Sequence, residues 1–297
     1  MTDRHEQLLK AYCAKIDEQL LRFTENKPEL QSVVLEAMEY SLTAGGKRLR
    51  PILVLEFYRM CGGEDIDKMI KVACSVELIH TYSLIHDDLP CMDNDDFRRG
   101  KPSCHKAFSE DIALLAGDAL NTLAFEVITD CAMEGTISAE TAVMLVSVLS
   151  KAIGTDGMIG GQVIDLETEN EVIDIETLNR LQSCKTGALI EAACVMGVVL
   201  SGKMEYIPAA ADYAQAMGRA FQIVDDILDV TGTFEELGKP IGSDSEQHKN
   251  TYVSLLGLQR SRQKAAQLTV TALGALKNFE NNEFVFELTR ELLERRS

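Results

Sequence analysis

Apolar residues recur at helical spacing along almost the whole chain. Met217, Phe221, Val224 and Leu228 follow i, i+4, i+7 and i+11 and so line one face of a 3.6-residue helix. Strict alternation, the mark of a half-buried strand, is hard to find. The prolines stand at 28, 51, 90, 102, 208 and 240, so no proline interrupts a helical ladder between Pro102 and Pro208. The pattern predicts an all-α bundle of about ten helices, with short turns near Lys27-Pro28, Gly45-Gly46, Gly62-Gly63, Gly135 and Gly202. No low-complexity linker divides the 297 residues, so a single domain over 1–297 is expected.

Two segments break the rhythm. Residues 87–106 are dense in charge, and residues 231–250 form a long stretch rich in Gly, Ser and Asp. A loop of that length in a helical domain is more often functional than idle.

Composition narrows the function classes. Hydrophobic residues make up 46% and charged residues 26%, ordinary values for a globular chain. The formal charge of -18 repels nucleic acid and anionic lipid, so no nucleic-acid partner is expected. An anionic substrate would need a local basic cluster. The eight cysteines form no CxxC pair, and Cys74, Cys131 and Cys194 sit in apolar runs, which suits a reducing, cytoplasmic setting. The N-terminal residues are charged and amphipathic rather than signal-like. The longest apolar run, 188–200, carries Glu191 and is too short to cross a bilayer, so no membrane span is expected.

The chemistry concentrates in HDDLPCMDNDDFRRG, residues 86–100, and QIVDDILD, residues 222–229. In the second, Gln222, Asp225, Asp226 and Asp229 lie at i, i+3, i+4 and i+7, one stripe at about 100° per residue. A lone acidic stripe is more often a solvated helix face. Here no Lys or Arg is interleaved, and like charges at this spacing repel unless cations neutralise them. In the first, Pro90 disfavours helix at Leu89, so the helix carrying His80, Ser83 and Asp87 should end near Asp88 and let Asp93 swing back. An EF-hand loop starting at Asp93 fails, because its sixth position is Arg98 where glycine is required. Carboxylates beside arginines suit magnesium bridging to a phosphorylated substrate. Arg48, Asp95, Asp96 and His86 are read as structural.

With these motifs in place the sequence resembles the short-chain trans-prenyl diphosphate synthases (the polyprenyl synthetase family), and within them most closely the bacterial farnesyl diphosphate synthases. Asp87-Asp88-x-x-x-x-Asp93 matches the first aspartate-rich motif in its longer form, with Pro90 and Cys91 inserted. Asp225-Asp226-x-x-Asp229 matches the second. GGKRLRP at 45–51, ELIHTYSLIHDD at 77–88, RRGKP at 98–102, GGQ at 160–162, CKTG at 184–187 and GKPIGSD at 238–244 occur in the family's order.

The resemblance implies an isoprenoid-synthase bundle around a central cavity and head-to-tail condensation of isopentenyl diphosphate with dimethylallyl or geranyl diphosphate. It implies Asp87, Asp93 and Asp225 as direct Mg2+ ligands, about three ions per site with Mn2+ as a substitute, and Asp88, Asp226 and Asp229 behind them. Lys47, Arg50, His80 and Arg99 match the isopentenyl diphosphate site. Arg98, Lys185, Thr186, Gln222, Lys239 and Lys249 match the allylic diphosphate site. Asp87, Asp88, Asp93, Lys185 and Asp225 are the catalytic set, and a homodimer is implied. Tyr82, five positions before Asp87, with Ser83 beside it, marks a farnesyl producer, although a helix wheel puts Tyr82 about 140° from Asp87. The alternatives are a geranylgeranyl diphosphate synthase, a terpene cyclase or squalene-type synthase, a catalytically silent partner subunit, and a purely structural helical protein.

Overall fold

The computed structural model describes residues 1–25, 28–169, 171–231 and 250–293. Helix dominates, and among these residues the single strand ladder is a two-residue antiparallel pair. Glycines expected at turns deliver them: Gly45, Gly46, Gly62, Gly135 and Gly202 all have positive φ, where a Cβ would be strained. The chain divides into two compact units. One comprises Glu6–Leu55 and Glu64–Val146; the other comprises Met1–His5, Glu56–Gly63 and Ser147–Ser297.

Helices α1 (Asp3–Arg22), α2 (Ser32–Leu42), α3 (Leu49–Met60), α4 (Ile66–Asp87), α5 (Cys104–Ala107), α6 (Glu110–Met133) and α7 (Ala139–Ile153) supply the first unit, wholly or in part. Its centre is α4, opened by the Asp65 carboxylate accepting from the Lys68 backbone N–H at 3.4 Å. Apolar residues surround this helix on most faces, so it must be enclosed, and it packs against α6 and α2. One charge is enclosed with it. Glu77 accepts from Arg48 Nη1 at 2.8 Å, while Arg48 Nε donates to Asp17 at 2.7 Å and Nη2 to the Leu42 carbonyl at 2.6 Å. Arg48 and Glu77 are 3% and 2% exposed, so losing either partner would strand a buried charge at a cost of roughly 3–5 kcal/mol. Arg48 is a structural residue, as the sequence reading has it.

The second unit contains α8 (Met158–Glu167), α9 (Ile175–Gln182), α10 (Ala188–Ser201), α11 (Ile207–Thr231), α12 (Tyr252–Leu256), α13 (Leu258–Ala275) and α14 (Glu283–Leu293). Here α11 is central and packs on α13 and α10. Ala220, Ile223 and Val224 of α11 meet Leu178, Tyr252, Leu268 and Leu293 in one buried cluster. A second cluster stacks Phe57 on Tyr213 and Phe279, with ring centroids 5.3 and 5.1 Å apart. Gly202 ends α10 in the left-handed conformation.

Three helical runs, Glu110–Met133, Ala139–Glu167 and Ile175–Ser201, are long and apolar enough to cross a membrane by length and composition alone. The last of them contains the 188–200 run with Glu191, which is too short on its own. None is a membrane span. The first packs on α4, the second is interrupted between α7 and α8, and the third is mostly buried within the protein and carries Lys185.

Candidate active site

The first acidic segment is built by a helix that stops. Helix α4 ends at Asp87, with Asp88 as its C-cap. The chain then folds back: the Asp93 N–H donates to the Asp87 carbonyl at 2.9 Å, and the Asn94 N–H to the Leu89 carbonyl at 3.1 Å. Asn94 has φ of 52°, a left-handed conformation that asparagine tolerates. The return of Asp93 to Asp87 is the one Pro90 led us to expect. Asp87 and Asp93 are half-buried, whereas Asp88 is 2% exposed and grips Arg98. Arg98 Nε donates to both Asp88 oxygens at 3.0 and 3.2 Å, and Nη2 also contacts Asp88 and reaches Asp95 at 3.3 Å. Burial pushes the Asp88 carboxyl up from its usual range despite the pull of Arg98. Asp96 pairs with Lys106 at 2.8 Å, so Asp95 and Asp96 both serve the scaffold.

Arg98 opens a hairpin whose two strands, Phe97–Arg98 and Lys101–Pro102, are joined through Arg99 and Gly100, both at positive φ (54° and 76°). That is the conformation of a two-residue turn that matches strand twist. The tip carries Arg99 to the Gly45-Gly46 turn, where its Nη1 donates to the Gly45 carbonyl. Gly46 has φ of 136°, so GGKRLRP needs glycine there for conformation, and a Cβ, 2.8 Å from that nitrogen, would push the Arg99 guanidinium aside. Arg99 Nη2 is 3.5 Å from His80 Nε2, and a guanidinium only donates, so the proton sits on Nδ1. Burial holds the His80 imidazole well below its usual pKa, and Arg50 and Arg99 add to this. Burial and then Arg99 likewise lower Arg50, against the pull of Glu77. Arg50 Nε is buried with no hydrogen-bond partner. Two guanidiniums, one of them with a buried and unpaired Nε, stand beside a neutral imidazole, a grouping chemically suited to an anion, and planar forks suit phosphate oxygens. Lys47 is exposed nearby in sequence.

In the second unit the acidic segment lies within unbroken α11. Asp225 is half-buried, but Asp226 and Asp229 are each 2% exposed. Asp226 accepts from the Tyr252 N–H at 2.8 Å and from Gln222 Nε2 at 3.2 Å. Gln222 therefore touches a carboxylate of its own helix. The CKTG residues form a single π-helical turn, Ser183–Gly187, between α9 and α10. Lys185 Nζ donates to Asp165 at 2.6 Å, and Thr186 is half-buried. Gly161 lets this turn approach, since a Cβ there would lie 2.2 Å from the Lys185 backbone nitrogen. Lys239 and Lys249 lie outside the described residues.

Among the described residues no three carboxylate, imidazole or thiol groups converge as a self-contained metal cage. Hard oxygen donors presented singly fit a divalent ion that completes its shell with phosphate and water. A family model, polyprenyl synthetase, matches residues 31–292. The chain belongs to the polyprenyl synthetase family. It is 44% identical to the farnesyl diphosphate synthase of Escherichia coli over 91% of each chain. It is 48% identical to geranylgeranyl pyrophosphate synthase 3 of Arabidopsis thaliana over 83% of this chain and 69% of that one. Among solved structures, an FPP/GFPP synthase from Zymomonas mobilis superimposes with a TM-score of 0.86 at 36% identity, covering 99% of this chain and 100% of that one. A geranyltransferase from Helicobacter pylori, complexed with magnesium and isoprenyl diphosphate, gives 0.81 at 35% identity over 99% and 96%. The polyprenyl synthetase fold is all-α and of the isoprenoid-synthase type, and the chain is a prenyltransferase of isoprenoid biosynthesis.

Each unit thus groups its share of the residues marked by sequence. Lys47, Arg50, His80, Tyr82, Ser83, Asp87, Asp88, Asp93, Arg98 and Arg99 fall in the first; Lys185, Thr186, Gln222, Asp225, Asp226 and Asp229 fall in the second. Ser83 is half-buried and donates to the His80 carbonyl at 2.9 Å. Tyr82 is buried, and burial, with Asp87 adding repulsion, pushes its phenol up to about 12. The phenol thus feels Asp87 although the helix wheel sets them apart. Sequence reasoning missed the Lys185–Asp165 pair and the Asp226–Tyr252 bond; nothing in local periodicity signals either.

Proposed function

We propose that the protein condenses isopentenyl diphosphate with dimethylallyl and then geranyl diphosphate to give (2E,6E)-farnesyl diphosphate. The observation that carries the fifteen-carbon product is the buried aromatic ring of Tyr82, five residues before Asp87, where it would stop the growing chain. Arg50, Arg99 and His80, with Lys47, hold the isopentenyl diphosphate, and the orphaned Arg50 Nε gains its acceptor there. Lys185, Thr186, Gln222 and Arg98 serve the allylic diphosphate, and Lys239 and Lys249 join them by their places in the motifs.

Asp87, Asp93 and Asp225 would hold Mg2+, which when bound stabilises the charge developing on the departing diphosphate. Asp88, Asp226 and Asp229 orient these ligands from behind. The side chains of the site hold the two substrates in line and exclude water from the allylic cation. No side-chain base is required, because the departing diphosphate takes the proton after coupling. We place the enzyme in the cytoplasm as a homodimer and read 1–297 as one domain. The free state of all eight cysteines and a family match running across both units support the first and last of these.

The second reading is a geranylgeranyl diphosphate synthase, favoured by the resemblance to the Arabidopsis enzyme. Purified protein with magnesium, isopentenyl diphosphate and each allylic primer separates the two by chromatography of the dephosphorylated product. A fifteen-carbon alcohol is expected; a twenty-carbon alcohol as the main product would replace the first reading with the second.

A further inference from the structure

One side chain beside the first acidic segment is held in a way the reaction does not call for. His86 lies immediately before Asp87, and its ring rests on α6 of the same unit. His86 Nε2 is 3.0 Å from the Leu114 carbonyl oxygen, which only accepts, so Nε2 carries the proton. The ring meets Tyr82 edge-on, with centroids 5.6 Å apart and planes at 80°. Beneath the imidazole is Gly117. A Cβ there would come within 2.1 Å of His86 Nε2 and 2.4 Å of Cδ2. Glycine inside a helix is disfavoured by about 1 kcal/mol relative to alanine. Gly117 opens a seat in α6 into which this one ring fits.

We propose that His86, seated on Gly117 and tied to the Leu114 carbonyl, is a positioning residue for product length. It fixes the ring of Tyr82, and this rests on the reading of Tyr82 as the stop for the growing chain. Tyr82 and His86 are four residues apart on α4, so their side chains lie over one another on one helix face. An aromatic ring pressed edge-on by a neighbour that is itself hydrogen-bonded has little rotamer freedom. Remove the imidazole, or push it off its seat, and the tyrosine gains space to turn. A longer prenyl chain then passes.

The test uses full-length wild type, Tyr82→Ala, His86→Ala and Gly117→Ala, each with magnesium, isopentenyl diphosphate and geranyl diphosphate. The ratio of twenty- to fifteen-carbon alcohol is read at equal total conversion. A merely structural role lowers conversion and the melting temperature but leaves this ratio alone. The ratio is expected to rise at least about tenfold in His86→Ala and in Gly117→Ala, the size of effect that a changed apolar pocket contact gives. Should Tyr82→Ala lengthen the product while His86→Ala leaves the ratio at the wild-type value, the inference falls and the reading of Tyr82 stands. Should Tyr82→Ala also leave it unchanged, the stop lies elsewhere and both fall.

Discussion

In the first acidic segment the helix ends and the chain doubles back, whereas in the second it runs on without a break to Thr231. Yet each segment sorts its carboxylates alike. Asp87, Asp93 and Asp225 stay half-buried, while Asp88 and Asp226 are sunk into the scaffold. The anchors differ in kind. Asp88 is held by a guanidinium on a hairpin, and Asp226 by a neutral backbone N–H at the start of α12 and a glutamine one turn away. Irregular backbone is one route to presenting a carboxylate; a regular helix that buries the last two members of its acidic stripe and leaves the first half-buried is another.

The comparison breaks most sharply through the presented carboxylates. Asp87→Asn and Asp225→Asn should each lower kcat by roughly 10²–10³-fold or more, the scale set by losing one contact to developing charge. Initial rates, with circular dichroism to confirm folding, would show it. Near-wild-type turnover in either would mean that its segment does not hold the metal.

Gly161→Ala comes next. The added methyl would sit 2.2 Å from the Lys185 nitrogen, so the π-helical turn must shift, with a fall of roughly 10–10²-fold in kcat/KM for the allylic substrate. Steady-state kinetics on both substrates would separate this from a global fault, which should affect them alike.

The anchors themselves should register in stability. Asp226→Ala strands the Tyr252 N–H, and Asp88→Ala leaves half-exposed Arg98 with only its longer contact to Asp95, each costing about 1–3 kcal/mol by denaturant titration. The Asp88 loss would be the more salt-sensitive, since its partner is charged.

The smallest effect concerns pH. The folded pKa of His80 lies below its unfolded value of about 6.5. Below that value the unfolded chain binds the proton more readily than the folded one, so this stability contribution is complete above pH 6.5 and lost as pH falls through the folded pKa. His80→Gln should flatten the melting-temperature profile on the acid side of 6.5, and an unchanged slope would remove His80 as its source.

Features written in neighbouring residues were legible in the sequence. Pro90 announced the end of α4 and the return of Asp93, and the turn glycines marked their own positive φ. The stripe through Asp225, Asp226 and Asp229 was also visible, but not the burial of its last two members. For Asp226 the partner is on α12, whose N–H reaches it from 26 positions along the chain. The π-helical turn at Ser183–Gly187 was equally hidden, because one extra residue in a turn does not disturb a pattern read at 3.6. Tyr82 was placed by motif rather than by wheel, and its edge-on contact with His86 required α6 to be present.

Arg48 reaches α1, the end of α2 and α4 at once, through Asp17, the Leu42 carbonyl and Glu77. It stands between Lys47 and Arg50, so the backbone there is tied down before any ligand arrives, and on the proposed function that ligand would be a diphosphate. Little chain entropy is then lost on ordering that segment, and more of each phosphate contact survives as net affinity. A homoallylic substrate would meet a receptor in its final shape, and its capture should be limited by diffusion and charge rather than by loop rearrangement.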